Sequence, residues 1–219
     1  MLWGQTGEGF EYDQVYTVAE RAYGPDVRLL SGLKYNYTYL SASGTPFLEG
    51  CGDTGDIRVN GTIYHDQPLR FDILNQQLIL DYKDFSGGKG SIVLSKEQVD
   101  YFYLGSCLFR PYLMEEGEVQ FCQVIFEGTI SCIYHWNKEY IAKMNGERTY
   151  YFSDPRRKKW IVVGEELRQY KGRASFLSAI PPELKNEAKK YLKRHKIRFR
   201  RISQEKMAEV MQHINTLLR

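Results

Sequence analysis

Three short strand-like runs joined by two turn signals occupy residues 57–82, and this stretch most constrains the fold. Asn60-Gly61 separates the first two runs, and an Asn-Gly pair accepts the positive φ that a tight type I′ hairpin turn needs. Asn75-Gln76 separates the second run from the third. Over 69–73 apolar and polar residues alternate, which is the period of a strand with one buried face. The stretch therefore predicts an antiparallel β-meander.

Further strand-like runs follow at short spacing, and a second Asn-Gly turn lies at Asn145-Gly146. The 17 tyrosines and 11 phenylalanines of the chain favour strands over helices. About ten or eleven strands with short links predict a sandwich or a strongly curved, barrel-like sheet. The runs after the meander cover 91–94, 99–104, 107–112, 121–126, 129–136, 140–144, 148–152 and 160–163.

The sequence pattern divides the chain into three segments. Residues 1–24 are predicted to be a tail with a short packing helix over 13–23, where apolar residues recur at helical spacing. Residues 25–163 are predicted to form an antiparallel β body, with 155–159 as a basic loop before its last strand. Residues 164–219 are predicted to be a linker and a basic helical segment packed on the body. The predicted fold class is α+β, mostly antiparallel β, with a C-terminal helix–strand–helix.

The C-terminal segment is predicted to follow a polar linker over 164–180. Its first helix opens at Pro181-Pro182, because proline is accepted at the first helical position. Residues 196–201 are predicted to be a short extended stretch, in which basic and apolar residues alternate as on an edge strand. Ser203 is the candidate N-cap of the last helix. The apolar stripe of that helix consists of Met207, Val210, Met211, Ile214, Leu217 and Leu218.

Basic residues concentrate in the C-terminal segment. Residues 181–219 hold 11 Lys and Arg against 4 Asp and Glu, whereas the whole chain holds 30 against 27. Such a cluster could neutralise the phosphates of nucleic acid or of lipid headgroups. We favour a solvated face, or one that docks on an acidic partner, over nucleic acid, because the link between the two helices is too long and extended for a helix-turn-helix. The candidate binding residues, here called the basic surface, are Lys189, Lys190, Lys193, Arg194, Lys196, Arg198, Arg200 and Arg201.

The four cysteines have no CxxC spacing, which argues against a structural zinc knot. Cys122 and Cys132 lie on either side of a predicted hairpin loop. If that loop is Phe126-Glu127-Gly128, the two cysteines face each other at a separation that a disulfide can span. The alternative, which we slightly favour, is that both are buried thiols that pack as small apolar residues.

Catalysis is the minority interpretation of this sequence. It contains neither a Gly-x-Ser-x-Gly elbow nor a His-Glu-x-x-His helix. A cryptic hydrolase site is conceivable where His65 and Asp66 meet the tyrosine-rich segment Tyr35–Tyr39, and Cys51 with His65 could form a thiol pair. The alternation of tyrosines at 35, 37 and 39 could also provide a platform for ligand stacking, but one face of a half-buried strand is the commoner explanation. We expect no cofactor and no metal.

Several stretches together resemble uncharacterised exported proteins that are common in Bacteroidota. The resemblance spans 25–219 and implies a location in the cell envelope, but it carries no established function and transfers no functional residue. The stretches are the loop Thr45-Pro46-Phe47-Leu48, the hairpin Asn60-Gly61 with Tyr64, the runs 69–73 and 75–80, and the closing 182–185 with 194–199.

The N-terminus allows two interpretations. Leu2-Trp3-Gly4-Gln5 could be the last residues of a secretory signal, or the segment could be an ordinary disordered terminus. The chain has no apolar run of about 18 residues that would span a membrane. We expect a non-catalytic periplasmic or envelope-associated protein that binds, or serves as an accessory subunit for, another envelope protein. The alternatives are a hydrolase near His65 and Asp66 and a binder of anionic polymer through the basic surface.

Overall fold

The computed structural model of the protein describes residues 29, 32–39, 41–83, 87–114, 117–145 and 147–218. The side chains of 145, 147, 148 and 200 are likewise outside the description. The helix predicted over 13–23 therefore lies outside the described residues, as do the rest of segment 1–24 and Gly146 of the second Asn-Gly turn.

Fourteen strands and three α-helices form in the described part of the chain. The helices are α1 (Arg173–Ala179), α2 (Lys185–Arg194) and α3 (Gln204–Thr216), and 3₁₀ turns lie at Pro182–Leu184 and Phe199–Arg201. This composition confirms the predicted α+β class. The strands are β1 (Gly32–Lys34), β2 (Ala42–Ser43), β3 (Thr54–Val59), β4 (Thr62–Asp72), β5 (Gln77–Lys83), β6 (Lys89–Leu94), β7 (Val99–Leu104), β8 (Cys107–Leu113), β9 (Val119–Phe126), β10 (Ile130–Asn137), β11 (Tyr140–Asn145), β12 (Glu147–Phe152), β13 (Arg156–Val163) and β14 (Glu166–Tyr170).

Eleven of these strands form one sheet over the described residues, in the order β1-β6-β5-β4-β3-β7-β8-β9-β10-β13-β14. Its neighbours pair antiparallel, mostly as consecutive hairpins. The hairpin β3–β4 turns at Asn60 and Gly61, whose φ angles of 48° and 81° are the left-handed values that the sequence predicts. The strands β11, β12 and β2 form a small second sheet, in which β12 pairs in parallel with β2.

The large sheet is strongly curved, and the evidence is the position of four phenylalanine rings. Four strand-to-strand steps separate β4 from β9, which would place them about 19 Å apart in a flat sheet. Yet the ring of Phe71 on β4 lies 6.0 Å from that of Phe121 on β9. The rings of Phe102 and Phe109 lie 5.7 and 5.5 Å from Phe71. The sheet therefore curls around a buried aromatic core, as the barrel-like alternative predicted.

The three helices cover the far end of the sheet and enclose a second core. The stripe residues Met207, Val210, Met211 and Ile214 are fully buried, whereas Leu217 and Leu218 at its end are 37% and 39% exposed. The predicted N-cap is confirmed, because Ser203 Oγ accepts a hydrogen bond from the Lys206 N–H at 3.2 Å. On the sheet side this core contains Ile130, Cys132, Tyr134, Ile161 and Tyr170.

Three predictions about the second half of the chain are wrong in their details. The residues 155–159 do not form a loop, because β13 begins at Arg156. The polar linker 164–180 contains β14 and α1. The residues 196–201 are not an edge strand, because a 3₁₀ turn covers Phe199–Arg201 and the Phe199 ring is buried in the helical core.

Candidate binding surfaces

The basic surface is displayed by the outer face of α2 and the turn that follows it. The inner face of α2 buries Ala188 and Leu192, so the helix cannot rotate without exposing them. Lys189, Lys190 and Lys193 consequently project into solvent. Lysine and arginine in the last turn also complement the negative end of the helix dipole.

Counter-charges on the basic surface are few. Among its described side chains, the one salt bridge joins Lys190 Nζ to Glu187 Oε1 at 2.6 Å. The hydrogen bond from Lys190, together with its charge, holds the pKa of the Glu187 carboxyl below its usual range. The other described cations of this surface face solvent, so it keeps a net positive charge that an acidic partner could neutralise.

The connection between α2 and α3 continues the basic surface. Lys196 adopts a positive φ of 51°, and its side chain is exposed, as are those of Arg198 and Arg201. Phe199 and Ile202 point inward and are both 5% exposed. Their burial fixes the position of the exposed Arg201 between them, whereas the side chain of Arg200 lies outside the description.

A stack of rings that the sequence analysis did not predict joins the two helices at the basic surface. The ring of Tyr191 on α2 lies 4.2 Å from the imidazole of His195 and 4.0 Å from that of His213 on α3. His195 is four residues after Tyr191, a spacing that places both on one helical face. The approach of His213 is a tertiary contact that sequence spacing does not reveal.

The residues of the proposed hydrolase site do not come together. His65 lies at an exposed bend of β4, where its Nδ1 is 2.9 Å from Asp56 Oδ2, and Asp66 has a positive φ of 52°. The Tyr35 hydroxyl instead donates to Asp72 Oδ2 at 3.2 Å, at the other end of β4. Seven residues of strand separate these two places by about 20 Å.

Half-exposed aromatic rings do converge where the segment 35–39 meets the small sheet. The ring of Tyr39 lies 5.1 Å from that of Tyr140 and 5.3 Å from that of Phe152. Residues 35–39 form no strand, so the commoner interpretation of the tyrosine alternation is wrong and the platform alternative fits the geometry better. We call this cluster the aromatic platform, and it consists of Tyr37, Tyr39, Phe47, Tyr140, Tyr150 and Phe152.

Only Tyr37 and Tyr39 of the six platform residues belong to the predicted tyrosine platform, although a signal for part of the rest was present. Tyr140 faces Phe152 across the β11–β12 hairpin, and Ala142 faces Tyr150. The predicted hairpin around Asn145-Gly146 already implies this register, and cross-strand aromatic pairs are a common source of sheet stability. No local sequence pattern predicts the contact between this hairpin and the segment 35–39.

Polar groups border the aromatic platform. Asn75 Nδ2 donates to the Tyr39 hydroxyl at 3.2 Å and to Asp72 Oδ2 at 2.8 Å. Asp72 is fully buried and also accepts the N–H groups of Leu74 and Asn75 at 3.0 and 2.9 Å. Burial and the nearby Asp72 carboxylate raise the pKa of Tyr35. A rigid hydrogen-bonded turn thus supports one side of the platform.

The cysteines are arranged differently from the alternatives that the sequence offered. Cys51 and Cys107 form a disulfide with a Cα–Cα distance of 5.7 Å, so Cys51 is not available as a nucleophile for His65. Gly105 packs closely against Cys51 of this bridge. A Cβ at position 105 would lie only 2.1 Å from the Cys51 carbonyl oxygen. The pairing joins residues that are 56 positions apart, a separation that local patterns do not reveal.

Cys122 and Cys132 are buried free thiols, as the favoured alternative predicted. The hairpin turns after Phe126 and not at residues 126–128, so that Cys132 faces Phe126 rather than Cys122, and a bulge follows between Cys132 and Ile133. The two thiols consequently lie in different cores, Cys122 against Met114 and Trp160, and Cys132 on the helical side. Cys122 and its neighbour Val124 thus belong to a core separate from that of Cys132.

In the described part of the chain, no group of three or more His, Cys, Asp or Glu side chains is placed to hold a metal ion. No described helix combines the length and the apolar character needed to cross a membrane. The chain matches no protein-family model, no curated protein and no solved structure. The resemblance to exported Bacteroidota proteins stays a prediction.

Proposed function

We propose that this chain is a non-catalytic envelope protein that serves as an accessory subunit and docks on an acidic surface of another envelope protein. The observation that carries the proposal is the uncompensated basic surface on α2. The buried Ala188 and Leu192 hold this helix in place, and its lysines need not reorganise to meet a partner. Complementary charge on such a partner would speed the encounter and fix the orientation of the complex.

The disulfide supports the export part of the proposal. Disulfides persist in oxidising compartments such as the periplasm and are rare in reducing ones. Cys51 and Cys107 have the Cα separation of an ordinary structural bridge, and the loop that they close contains β3 to β7, which include Phe71 and Phe102 of the aromatic core.

An acidic protein suits the basic surface better than nucleic acid does. Both helices of the segment bury their apolar faces in the helical core, and the 3₁₀ turn between them buries Phe199. Neither helix projects as a recognition helix that could enter a groove. A protein in an oxidising compartment would also seldom meet nucleic acid.

The non-catalytic part rests on the positions of the candidate catalytic residues. A nucleophile, a base and an orienting group must converge within hydrogen-bond reach for acid–base catalysis. In the described structure, His65 and Asp66 lie at one end of β4 and the hydroxyl of Tyr35 at the other, and Cys51 is oxidised.

Zero-length cross-linking tests this function directly. Carbodiimide joins a lysine amine to a carboxylate only when the two are in contact, so treatment of envelope fractions from the native host would trap a partner by its acidic residues. We expect peptides in which Lys189, Lys190 or Lys193 is linked to Asp or Glu of one envelope protein. We expect the yield to fall at high salt, because salt screens exposed charges.

A charge-matched pair of variants supplies the control. The test variant carries Lys189→Glu, Lys190→Glu, Lys193→Glu and Arg194→Glu. The control variant changes four exposed lysines on other elements, Lys34→Glu, Lys83→Glu, Lys89→Glu and Lys143→Glu, with the same change in net charge. Loss of the cross-linked partner in the test variant alone supports the proposal. Equal recovery of the partner by both variants, or no partner for the wild type, overturns the proposal. Retention of an anionic polymer instead of a protein would favour the alternative that the basic surface binds such a polymer.

A further inference from the structure

We infer that the aromatic platform binds an uncharged polysaccharide chain, which contacts the rings of Tyr37 and Tyr140. This inference goes beyond the proposed function and uses a different face of the molecule. It holds whether or not the basic surface docks on a protein, because the two surfaces share no residue.

The platform offers two exposed rings on either side of a third. Tyr37 and Tyr140 are 37% and 38% exposed, and their rings lie 5.8 and 5.1 Å from the ring of Tyr39. Exposed aromatic rings that cluster are unusual on a monomeric surface, where apolar side chains are normally scattered singly. Two adjacent rings can contact successive units of a linear chain, as aromatic platforms do for the bases of single-stranded nucleic acids.

Both exposed rings are held in place before any ligand arrives. Tyr37 stacks on Phe47 with ring centroids 6.4 Å apart, and Tyr140 stacks on Tyr150 at 5.4 Å with an angle of 6° between the rings. Tyr39 also contacts both rings, and Phe152 contacts Tyr140, so each exposed ring is oriented by more than one neighbour. Binding therefore loses little side-chain entropy, and such preorganisation favours affinity.

The chemistry of the platform suits a sugar ring. The face of an aromatic ring carries partial negative charge, which attracts the weakly positive C–H groups on one face of a pyranose. Around that face a sugar presents hydroxyl groups, and these need hydrogen-bonding partners. The hydroxyl of the exposed Tyr37 can provide one such partner, whereas both N–H groups of the Asn75 amide are already used by the Tyr39 hydroxyl and the Asp72 carboxylate.

The charges beside the platform favour a neutral chain over a polyanion. Arg70 lies 4.5 Å from the centre of the Phe47 ring, but both of its hydrogen-bonding nitrogens contact the Asp81 carboxylate at 2.6 Å. Lys138 is buried, and its ammonium donates to the Thr45 and Phe47 carbonyls at 2.8 and 2.9 Å. These cations are already engaged, whereas binding of nucleic acid relies on cations that are open to phosphates.

Affinity electrophoresis in native gels tests the inference with defined polymers. The gels contain dextran, galactomannan, xyloglucan or mixed-linkage β-glucan, and mobility is measured relative to a gel without polymer. A parallel titration uses single-stranded oligothymidine. We expect at least one polysaccharide to retard the full chain and oligothymidine to leave it unbound.

Variants of the two exposed rings identify the site. Tyr37→Ala and Tyr140→Ala should each weaken retardation by about tenfold in apparent affinity, because each removes one stacking surface. Tyr37→Phe and Tyr140→Phe retain the ring face and should keep most of the affinity. Tyr101→Ala is the matched control, since Tyr101 is a half-buried tyrosine that packs on Tyr103 outside the platform, and it should bind as the wild type does.

Four results would overturn the inference. They are the absence of retardation by every polysaccharide, unchanged retardation of both alanine variants, losses in the phenylalanine variants as large as those in the alanine variants, and binding of oligothymidine through the same tyrosines. The Glu variants of the basic surface should retain polysaccharide binding, so failure of the proposed function and failure of this inference are distinguishable.

Discussion

The side-chain amide of Asn215 on α3 pairs with the backbone of Ile130 on β10 through two hydrogen bonds. The Ile130 N–H donates to Asn215 Oδ1 at 3.0 Å, and Asn215 Nδ2 donates to the Ile130 carbonyl at 2.8 Å. The β9–β10 ladder begins only at the pair of Cys132 and Phe126, so Ile130 lies beyond its end. Asn215 thus supplies the partner that a neighbouring strand would otherwise provide, and it joins the last helix to the sheet.

Replacement of Asn215 should destabilise the fold without affecting the surfaces. Asn215→Leu removes the partner of both Ile130 backbone groups, and an unsatisfied buried polar group costs about 1–3 kcal/mol. Asn215→Asp keeps the acceptor and loses the donor, so we expect an intermediate loss. Urea unfolding measures both free energies, with Asn186→Ala on the exposed face of α2 as the control. An unfolding midpoint of Asn215→Leu equal to that of the control would contradict this role.

The curvature of the sheet makes Phe71 the most sensitive position of the aromatic core. Its ring contacts those of Phe102, Phe109 and Phe121, which come from three different strands. We expect Phe71→Ala to lower the free energy of unfolding by about 3–5 kcal/mol and Phe71→Leu by less, because leucine leaves a smaller cavity. Leu113→Ala serves as the control, since Leu113 is 64% exposed. Similar small losses for Phe71→Ala and Leu113→Ala would show that these rings do not form a common core.

Features that depend on neighbours along the chain were predictable from the sequence. The Asn60-Gly61 turn, the β7 boundaries at 99–104 and the Ser203 N-cap all follow from residues within one turn or one strand. The turn follows from the tolerance of Asn-Gly for positive φ, the strand from an apolar period of two, and the N-cap from the side-chain oxygen of serine.

The first half of β13, residues 156–159, was predicted as a loop and not as a strand, because its side chains are long and basic. Arg157 lies over the Trp136 ring at 5.5 Å and Lys159 over the Tyr170 ring at 6.0 Å. Their methylenes act as apolar surface although the residues count as charged in any hydropathy pattern. Buried and exposed positions therefore alternate along this strand in the structure, but apolar and polar residue types do not alternate in its sequence.

The basic surface could be predicted from the sequence, but the aromatic platform could be predicted only in part. Basic residues adjacent in sequence stay adjacent on one helix, so Lys189, Lys190 and Lys193 share a face wherever the helix packs. The platform instead joins Tyr39 to Tyr140 and Phe152, which are about a hundred residues away. Contacts of that range depend on sheet order, which the pattern of strands leaves open.

Thiol counting should distinguish the disulfide from the buried thiols. The native protein should react slowly with a thiol reagent, because burial raises the pKa of both Cys122 and Cys132 to about 12 and the thiolate is the reactive form. Unfolding without reductant should expose two thiols, and unfolding with reductant should expose all four cysteines. Four reactive thiols in the unreduced, unfolded protein would contradict the bridge.

Reduction of the same bridge should cost stability. A native disulfide that closes a long loop typically contributes about 2–4 kcal/mol, and this loop spans 56 positions. The urea midpoint should fall on addition of reductant, whereas the double variant Cys51→Ala/Cys107→Ala should start at the lower midpoint and not respond to reductant. A response of the double variant would assign the effect to something other than this disulfide.

The free thiols should also make the protein less stable at alkaline pH. An unfolded cysteine has a pKa of about 8.5, and burial raises the pKa of Cys122 and of Cys132 to about 12 in the fold. Below pH 8.5 both states keep the protons, so the full stability is present. Between about pH 8.5 and 12 the unfolded state releases protons that the folded state retains, and stability falls by about 1.4 kcal/mol per pH unit for each thiol.

Urea midpoints between pH 7 and pH 10 measure this loss, which should reach about 2 kcal/mol per thiol at pH 10. Each tyrosine whose pKa burial raises adds about 0.4 kcal/mol at pH 10, because an unfolded tyrosine has a pKa of about 10 and is then half ionised. This loss is common to the wild type and the cysteine variants. Cys132→Ala and Cys122→Ala should each be less stable at pH 7, owing to the cavity, yet each should lose less stability on going to pH 10. The slope with pH separates the two effects, since a cavity shifts the whole curve while a missing thiol flattens it. Variants whose curves run parallel to that of the wild type would show that these thiols are not held protonated by the fold.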